Sequence, residues 1–434
     1  MNISFEKTGN VSAVLTLKME KSDYESKVKD TLKTYSRKAQ MPGFRPGKVP
    51  FGLIQKMYGA QAKAEEVNKL LNDSLFNYIK ENKVNMLGEP LSSEQQTMQD
   101  IEKQDDFEFI FDIALAPEFT VDLSADDHVD FYDIETTDEQ INEQVKNIAQ
   151  RAGHSENVDS YENNDILCGV LAELDENGQP KEGGLVVEKV SLMPTYFKND
   201  DQKKIFEGAK KNDVLTFNPS MAYEGSEYYG DFSFQVDEIS RFVAAEVNQE
   251  LFDNVFGKDN VKSEEEFRGK IKENIEKQHV ADSDYKFLLD LRAYMEQKVG
   301  ELEFPTELLK KIMKANNKDK GEEFVEKNFD KSIEELKWHL IKEQLVEKNG
   351  IKVDDKELKE TAVQAARFQF AQYGMTDIPE EYLEQYATEM LKKREQVNAL
   401  VERCIDTKLV EAVKSVVTLD HKSISVEDFS KMFN

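Results

Sequence analysis

Cysteine, tryptophan, histidine and proline are scarce in this chain of 434 residues, which holds two, one, five and ten of them respectively. Each scarcity excludes something. Cys168 and Cys404 stand far apart and make no disulfide framework, which fits a reducing compartment. His128, His154, His279, His339 and His421 are scattered, without the paired cysteines or carboxylate spacing of a zinc site. No metal ion and no cofactor is therefore expected. No stretch reaches the roughly 18 apolar residues of a membrane span, and residues 1–7 lack the apolar run of a signal peptide. The expectation is a cytoplasmic protein with no membrane contact. Gly-x-Ser-x-Gly is absent, so the nucleophile elbow of a serine hydrolase is not expected. Gly43-Phe44-Arg45-Pro46-Gly47-Lys48 falls one residue short of a phosphate loop, and Val49 stands where a hydroxyl would ligate magnesium. Nucleotide binding is not expected either.

What is plentiful is acid. There are 57 Lys and Arg against 86 Asp and Glu, a formal net charge of −29. The distribution is uneven. Residues 1–50 hold ten basic groups and five acidic ones, leaving 47 against 81 for the remainder. A basic end on an acidic body suits a molecule that meets a polyanion at one place and is repelled by it elsewhere. A solvated basic helix face is the plainer reading of the same charges.

Periodicity divides the chain. Residues 2–19 read as two strands turning at Gly9-Asn10, with Val11, Ala13, Leu15 and Leu17 alternating. Ser22 and Glu25 form a capping box for a helix whose stripe is Tyr24, Val28, Leu32, Tyr35 and Ala39. A second helix spans about 51–82, and Phe107, Phe109, Phe111, Ile113 and Leu115 alternate in a strand. Residues 118–154 read as a connector, with Thr137 and Gln140 capping a helix, and the polar run 155–164 marks a boundary. Residues 165–240 turn β-rich, with a hairpin turn at Asp175-Glu176-Asn177-Gly178. From about 245 to the end the pattern is helical, and Leu391, Val397, Leu400, Val401 and Ile405 belong to one long helix. Trp338, at helical spacing, is expected in the core.

Between the first two helices lies Met41-Pro42-Gly43-Phe44-Arg45-Pro46-Gly47-Lys48-Val49-Pro50. Its glycines and prolines forbid a helix or a central strand. A phenylalanine at the tip of such a loop has no core to enter, so it serves contact with something else. Gly43-Phe44-Arg45, Gly47-Lys48 and Pro50 stand in the order and spacing of the signature of bacterial trigger factors, the chaperones of the ribosomal exit tunnel. The chain resembles that family over its whole length. Where the family carries a basic residue this chain has Pro46, which implies one phosphate contact fewer.

The resemblance implies an α+β multidomain protein. Residues 1–117 would be an α+β ribosome-binding domain and 118–154 a connector packing with the C-terminal domain. Residues 155–242 would be a small β-rich FKBP-like middle domain, and 243–434 a mainly α-helical chaperone domain. The implied function is ATP-independent: docking at the exit tunnel and shielding nascent polypeptides. The implied partners are exit-tunnel protein and rRNA, nascent or unfolded chains, and a second copy of the protein off the ribosome. Gly43, Phe44, Arg45, Gly47 and Lys48 are the ribosome-binding residues implied.

In the middle domain the family's Gly-Phe-Glu entry is replaced by Tyr196-Phe197-Lys198-Asn199-Asp200. FKBP-type isomerases hold a twisted imide in an aromatic pocket, which Phe206, Tyr223 and Phe234 could still line; packing of the sheet is the alternative for the same rings. Whether prolyl isomerase activity survives is open, and an active isomerase or an RNA-binding adaptor are the rival functions. In the helical part Phe368, Phe370, Tyr373, Met375, Tyr382, Tyr386 and Met390 exceed what one apolar stripe needs. They are candidates for a substrate-binding lining, with extra helix–helix packing as the alternative.

Overall fold

A computed structural model describes every residue except Gly43, Pro46, Gly374, Thr376, Asp377 and Asn434. The chain opens with β1 (Asn2–Lys7) and β2 (Ser12–Met19), antiparallel with Phe5 opposite Leu15. Helix α1 (Lys21–Lys38) starts ahead of the expected Ser22. Glu20 is the last extended residue, so the carboxylate three places on, that of Asp23 and not Glu25, accepts its N–H at 2.8 Å. After the 41–50 loop come α2 (Phe51–Glu81), β3 (Leu91–Ser92) and β4 (Phe107–Ala114). The strands form one sheet in the order β1-β2-β4-β3. Because side chains alternate along a strand, Phe107, Phe109, Phe111 and Ile113 share a face; they meet Val67, Leu71 and Leu75 of α2 in one core.

The connector supplies β5 (His128–Ile134) and α3 (Asp138–Arg151). Its predicted cap is present: Gln140 N–H donates to Thr137 Oγ1 at 3.3 Å, and Thr137 N–H donates to the Gln140 side chain at 2.9 Å. The polar run expected as a plain boundary contains a strand, β6 (His154–Asn157). All four of its residues are exposed, so no alternation betrays an edge strand of this kind. Then follow β7 (Ile166–Glu173), β8 (Val186–Leu192), α4 (Asp200–Lys204), β9 (Val214–Phe217), α5 (Pro219–Ala222) and β10 (Phe232–Val243). The sheet runs β6-β10-β7-β8, with β9 also on β10. Gly169 in β7 has to be glycine, because an added Cβ would stand 1.8 Å from the Gln235 carbonyl oxygen of β10.

The helical part comprises α6 (Gln249–Phe256), α7 (Glu264–Val299), α8 (Thr306–Asn316), α9 (Gly321–Lys348), α10 (Asp355–Gln372), α11 (Glu380–Met390) and α12 (Arg394–Lys414). Leu391, expected in the last long helix, instead closes α11. The tail is not wholly helical: β11 (Thr418–Ile424) pairs with β5 before α13 (Val426–Lys431). Its partner strand lies in a remote part of the chain, beyond any local pattern. Trp338 is half-buried, packed at the edge of the core with the Arg292 guanidinium 5.9 Å from its ring.

The chain divides into two compact units, Met1–Phe131 with Asp284–Asp420, and Tyr132–Ser283 with His421–Asn434. The division falls inside the expected connector and inside α7. In the first unit Leu87 and Ala114 of the N-terminal part pack with Leu309, Ile312 and Phe329 of α8 and α9. Asp127, 5% exposed, ties the connector to α7 in the same unit. It accepts from Ser124 N–H at 2.7 Å, from the Tyr294 hydroxyl at 2.5 Å and from the Lys298 ammonium. Burial opposes its charge, but these donors outweigh burial and hold the carboxyl down at about 2. In the second unit α3, α6 and the start of α7 share a core built on Ile141, Val145, Leu251 and Phe267.

Candidate functional site

The 41–50 loop is folded by its own ends. Val49 is buried, joining Leu32 of α1 with Ile54 and Ala62 of α2, and Met41 packs against the same cluster. Phe44 N–H donates to Met41 O at 3.1 Å and Lys48 N–H to Arg45 O at 2.9 Å, making two successive turns. Gly47 N–H reaches back to Ala39 O at 3.3 Å. Gly47 has φ +70, and a Cβ there would come 3.1 Å from the Arg37 carbonyl oxygen, so the loop lies against the end of α1 only with glycine. With both ends anchored, Phe44, Arg45 and Lys48 are left exposed. Gly43 and Pro46 lie outside the described residues.

The charge around this tip is one-sided. Residues 31–64 contain seven Lys and Arg and no Asp or Glu. Nearer the sheet the cations are paired: Lys33 with Asp30 at 2.8 Å, Lys21 and Lys63 with Asp105 at 2.8 and 3.3 Å. Hydrogen bonds from Lys21 and Lys63 hold the Asp105 carboxyl below the usual carboxylate range. At the tip, Arg37, Lys38, Arg45, Lys48 and Lys56 have no ion-pair partner among the described residues. The first turn of α2 adds its own positive end. Two apolar side chains that the motif did not reveal, Phe51 and Met57, are exposed on the same helix start. For Met57 the signal was available, since it falls outside the stripe of Ile54, Tyr58 and Ala62; Phe51 lies on that stripe and is exposed because it stands at the open first turn. Such a surface can grip an anionic partner through guanidinium and ammonium groups while an aromatic ring enters an apolar notch.

The middle-domain aromatics are arranged differently. Phe206 and Phe234 are wholly buried at 0% exposed, and Tyr223 is half-buried. Phe197, part of the segment replacing the family's entry motif, is buried among them. Its ring centroid lies 5.5 Å from Phe206, 5.7 Å from Phe217 and 4.9 Å from Tyr223. Phe206 in turn packs on Phe217 at 5.3 Å and on Phe234 at 6.2 Å. These rings face one another in a continuous core, with Phe197 in contact with Phe206, Phe217 and Tyr223. Burial also pushes the Tyr223 phenol up.

The seven residues expected to line a substrate surface separate into two groups. Phe370, Tyr386 and Met390 pack against Ala362, Val363, Ala366 and Leu383, holding α10 to α11; Phe370 and Tyr386 meet edge-on at 5.0 Å. These three pack between the helices, and Phe370 and Tyr386 also border the groove beside them. Phe368, Tyr373, Met375 and Tyr382 are exposed, Tyr373 by 73% and Tyr382 by 63%. An open groove of about 510 Å³ runs between Phe370, Tyr382 and Tyr386, with Gln385 and Glu389 on its rim. The hairpin therefore offers exposed aromatic surface beside a packed helix pair. Among the described residues no group of three or more His, Cys, Asp and Glu is placed to hold a metal ion, and no helix is long and apolar enough to cross a membrane.

Comparison with known proteins bears on the whole chain. Residues 1–148 match the family model for bacterial trigger factor protein (TF), 155–244 that for the probable trigger factor FKBP-like domain, and 283–433 that for the probable trigger factor C-terminal domain. The trigger factor of Hahella chejuensis is 22% identical across 99% of this chain and 96% of its own length. That of Pseudomonas putida (strain GB-1) is 24% identical across 99% of this chain and 98% of its own. A solved structure described as "Promiscuous Substrate Recognition in Folding and Assembly Activities of the Trigger Factor Chaperone" shares the fold, with a TM-score of 0.50 and 16% identity over 95% of this chain and 99% of that one. With all three domain models matched in order along one chain, and with relatives similar from end to end, this chain belongs to the trigger factor family.

Proposed function

We propose that this chain is an ATP-independent chaperone that docks at the ribosomal exit tunnel through the 41–50 loop and shields emerging polypeptides with the α10–α11 hairpin. The observation that carries the reading is the tip of the first unit, where exposed Phe44, Arg45 and Lys48 stand in a stretch with seven cations and no carboxylate. Phosphate and carboxylate groups of rRNA and exit-tunnel protein would satisfy those cations. The acidic remainder of the chain keeps the exposed hairpin aromatics apart from rRNA. Residues 1–117 act as the docking domain, 118–154 as the connector, 155–242 as the FKBP-like domain and 243–434 as the holding domain. Free Cys168 and Cys404 suit the cytoplasm. Away from the ribosome, two copies associate by covering each other's exposed tip and hairpin.

Cosedimentation with purified ribosomes tests the docking. The intact chain pellets with them, and a Phe44→Ala, Arg45→Ala double variant stays in the supernatant with unchanged thermal melting. Equal pelleting of the two proteins refutes the assignment. Tight, salt-sensitive binding to naked rRNA, undiminished by the double variant, would favour the RNA-adaptor reading instead. Active prolyl isomerisation is the weaker alternative, because Phe197 fills the aromatic cluster of the middle domain.

A further inference from the structure

The outer edge of β4 is only half covered. Leu91 and Ser92 of β3 pair with Asp112 and Phe111, and Ser93 N–H donates to Ile110 O at 2.9 Å. The chain then turns away. From there a side chain takes the place of a strand. The Gln96 carboxamide accepts from Ile110 N–H at 2.6 Å and donates to Glu108 O at 3.0 Å. One primary amide thus makes the two hydrogen bonds that the N–H and the C=O flanking one residue of a neighbouring strand would make. Beside it lies a groove of about 430 Å³ lined by Leu71, Ile101, Phe109 and Phe111, with Met98 on its rim. Met98 is fully exposed, so the covering segment 93–104 leaves the groove open. That segment is held by short-range polar bonds, Gln99 to Thr97 at 3.0 Å, Asp100 N–H to Gln104 at 3.0 Å and Lys103 to Asp100 at 3.0 Å, and by a few longer ties: the Lys63 ammonium to Gln104 O, the Lys311 ammonium to Glu94 at 2.5 Å, and Ile101 against the sheet core.

We propose that the β4 edge and this groove form a strand-addition site for an extended segment of unfolded polypeptide. The segment displaces the Gln96 side chain, takes over its bonds to Ile110 N–H and Glu108 O, and places one apolar side chain in the groove. The amide geometry argues for this occupant, since Gln96 already shows that a peptide-like group fits the edge at 2.6 and 3.0 Å. The groove supplies the apolar pocket that backbone pairing by itself lacks. Opening requires the loss of the Gln96 bridge and local rearrangement of an irregular segment whose ties through Ile101 and Gln104 loosen, with no helix or ladder broken. The inference rests on the reading of the chain as a binder of unfolded polypeptide, and it adds a backbone-reading site to the aromatic hairpin.

The test uses the full chain and a fluorescein-labelled hexapeptide of alternating threonine and valine, read by anisotropy, with hydrogen–deuterium exchange locating the site. Bound peptide is expected to slow exchange of the Ile110 amide and quicken exchange across 93–104. Gln96→Ala removes the competing amide and should tighten binding by about three- to tenfold, the worth of an ordinary hydrogen bond. The same peptide N-methylated at alternate residues, which cannot complete the ladder, should bind at least tenfold more weakly. Protection confined to the α10–α11 hairpin, or equal affinity for the methylated peptide, overturns the proposal and leaves the holding function standing. Failure of the wild-type chain to slow aggregation of a refolding protein is read in a separate assay, and it would strike the holding function itself.

Discussion

Phe44→Ala isolates the apolar part of docking. Phe44 is 41% exposed and belongs to none of the buried clusters. A phenylalanine can bury about 200 Å², so the exposed share corresponds to roughly 80 Å² available to a partner. At about 25 cal/mol per Å² its burial contributes about 2 kcal/mol, or some 30-fold in Kd. The charges are untouched by this change, so the salt dependence of binding should keep its slope while the whole curve shifts. Arg45→Ala should do the reverse, weakening binding most at low salt. Fluorescence titration of labelled protein against ribosomes, between 50 and 300 mM salt as order-of-magnitude bounds on screening, reads both quantities. The melting temperature of Phe44→Ala should stay within about 2 °C of wild type, as for surface substitutions. A Kd unchanged within about twofold would refute the claim that the ring enters an apolar notch. A matched fall in melting temperature would show instead that Phe44 supports the fold.

Gly47→Val forces a side chain into a positive-φ position facing the Arg37 carbonyl, and should weaken ribosome binding by about tenfold or more through loop distortion, with the sheet core unaffected in near-UV dichroism. A Tyr373→Ser, Tyr382→Ser pair should leave melting unchanged, since both rings are exposed, yet raise the chaperone-to-client ratio needed to suppress aggregation by about threefold or more. On a short proline peptide the protein should give little catalysis over the spontaneous rate; fast turnover abolished by Tyr223→Ala would show a working pocket. Asp127 has a native carboxyl lowered to about 2 from 3.8, so its contribution is fully present above about pH 4 and is lost as pH falls through 2. That difference amounts to about 2 kcal/mol. Asp127→Asn should therefore lower stability in urea at pH 7 by about that amount, and the gap between variant and wild type should narrow between about pH 4 and pH 2.

Much of this was legible in the residues themselves. The period-two run from Phe107 to Ile113, the Thr137–Gln140 cap and the hairpin turn before Gly178 each act through neighbours in sequence, and all three formed where the local pattern placed them. The 41–50 stretch was legible as an exposed loop for the same reason, because proline, glycine and an unshielded phenylalanine define it within ten residues. The family could be recognised from that motif and its setting. What escaped depended on partners distant along the chain. Strand β6 carries only exposed polar residues and exists because β10 offers it an edge, and β11 exists because β5 does. The helix at Lys21 began early because β2 ended at Met19, which made Asp23 the capping group. Helical spacing could not say whether Phe370 or Phe368 faces inward; only the packing of α11 on α10 decided it. Composition likewise listed Phe197, Phe206 and Phe234 without showing that each would occupy the others' space. Backbone-local chemistry, caps, turns and alternation, was determined by the sequence alone, whereas which aromatic surfaces are sealed and which stay open was decided by the tertiary structure, since burial belongs to pairs of surfaces and not to residues.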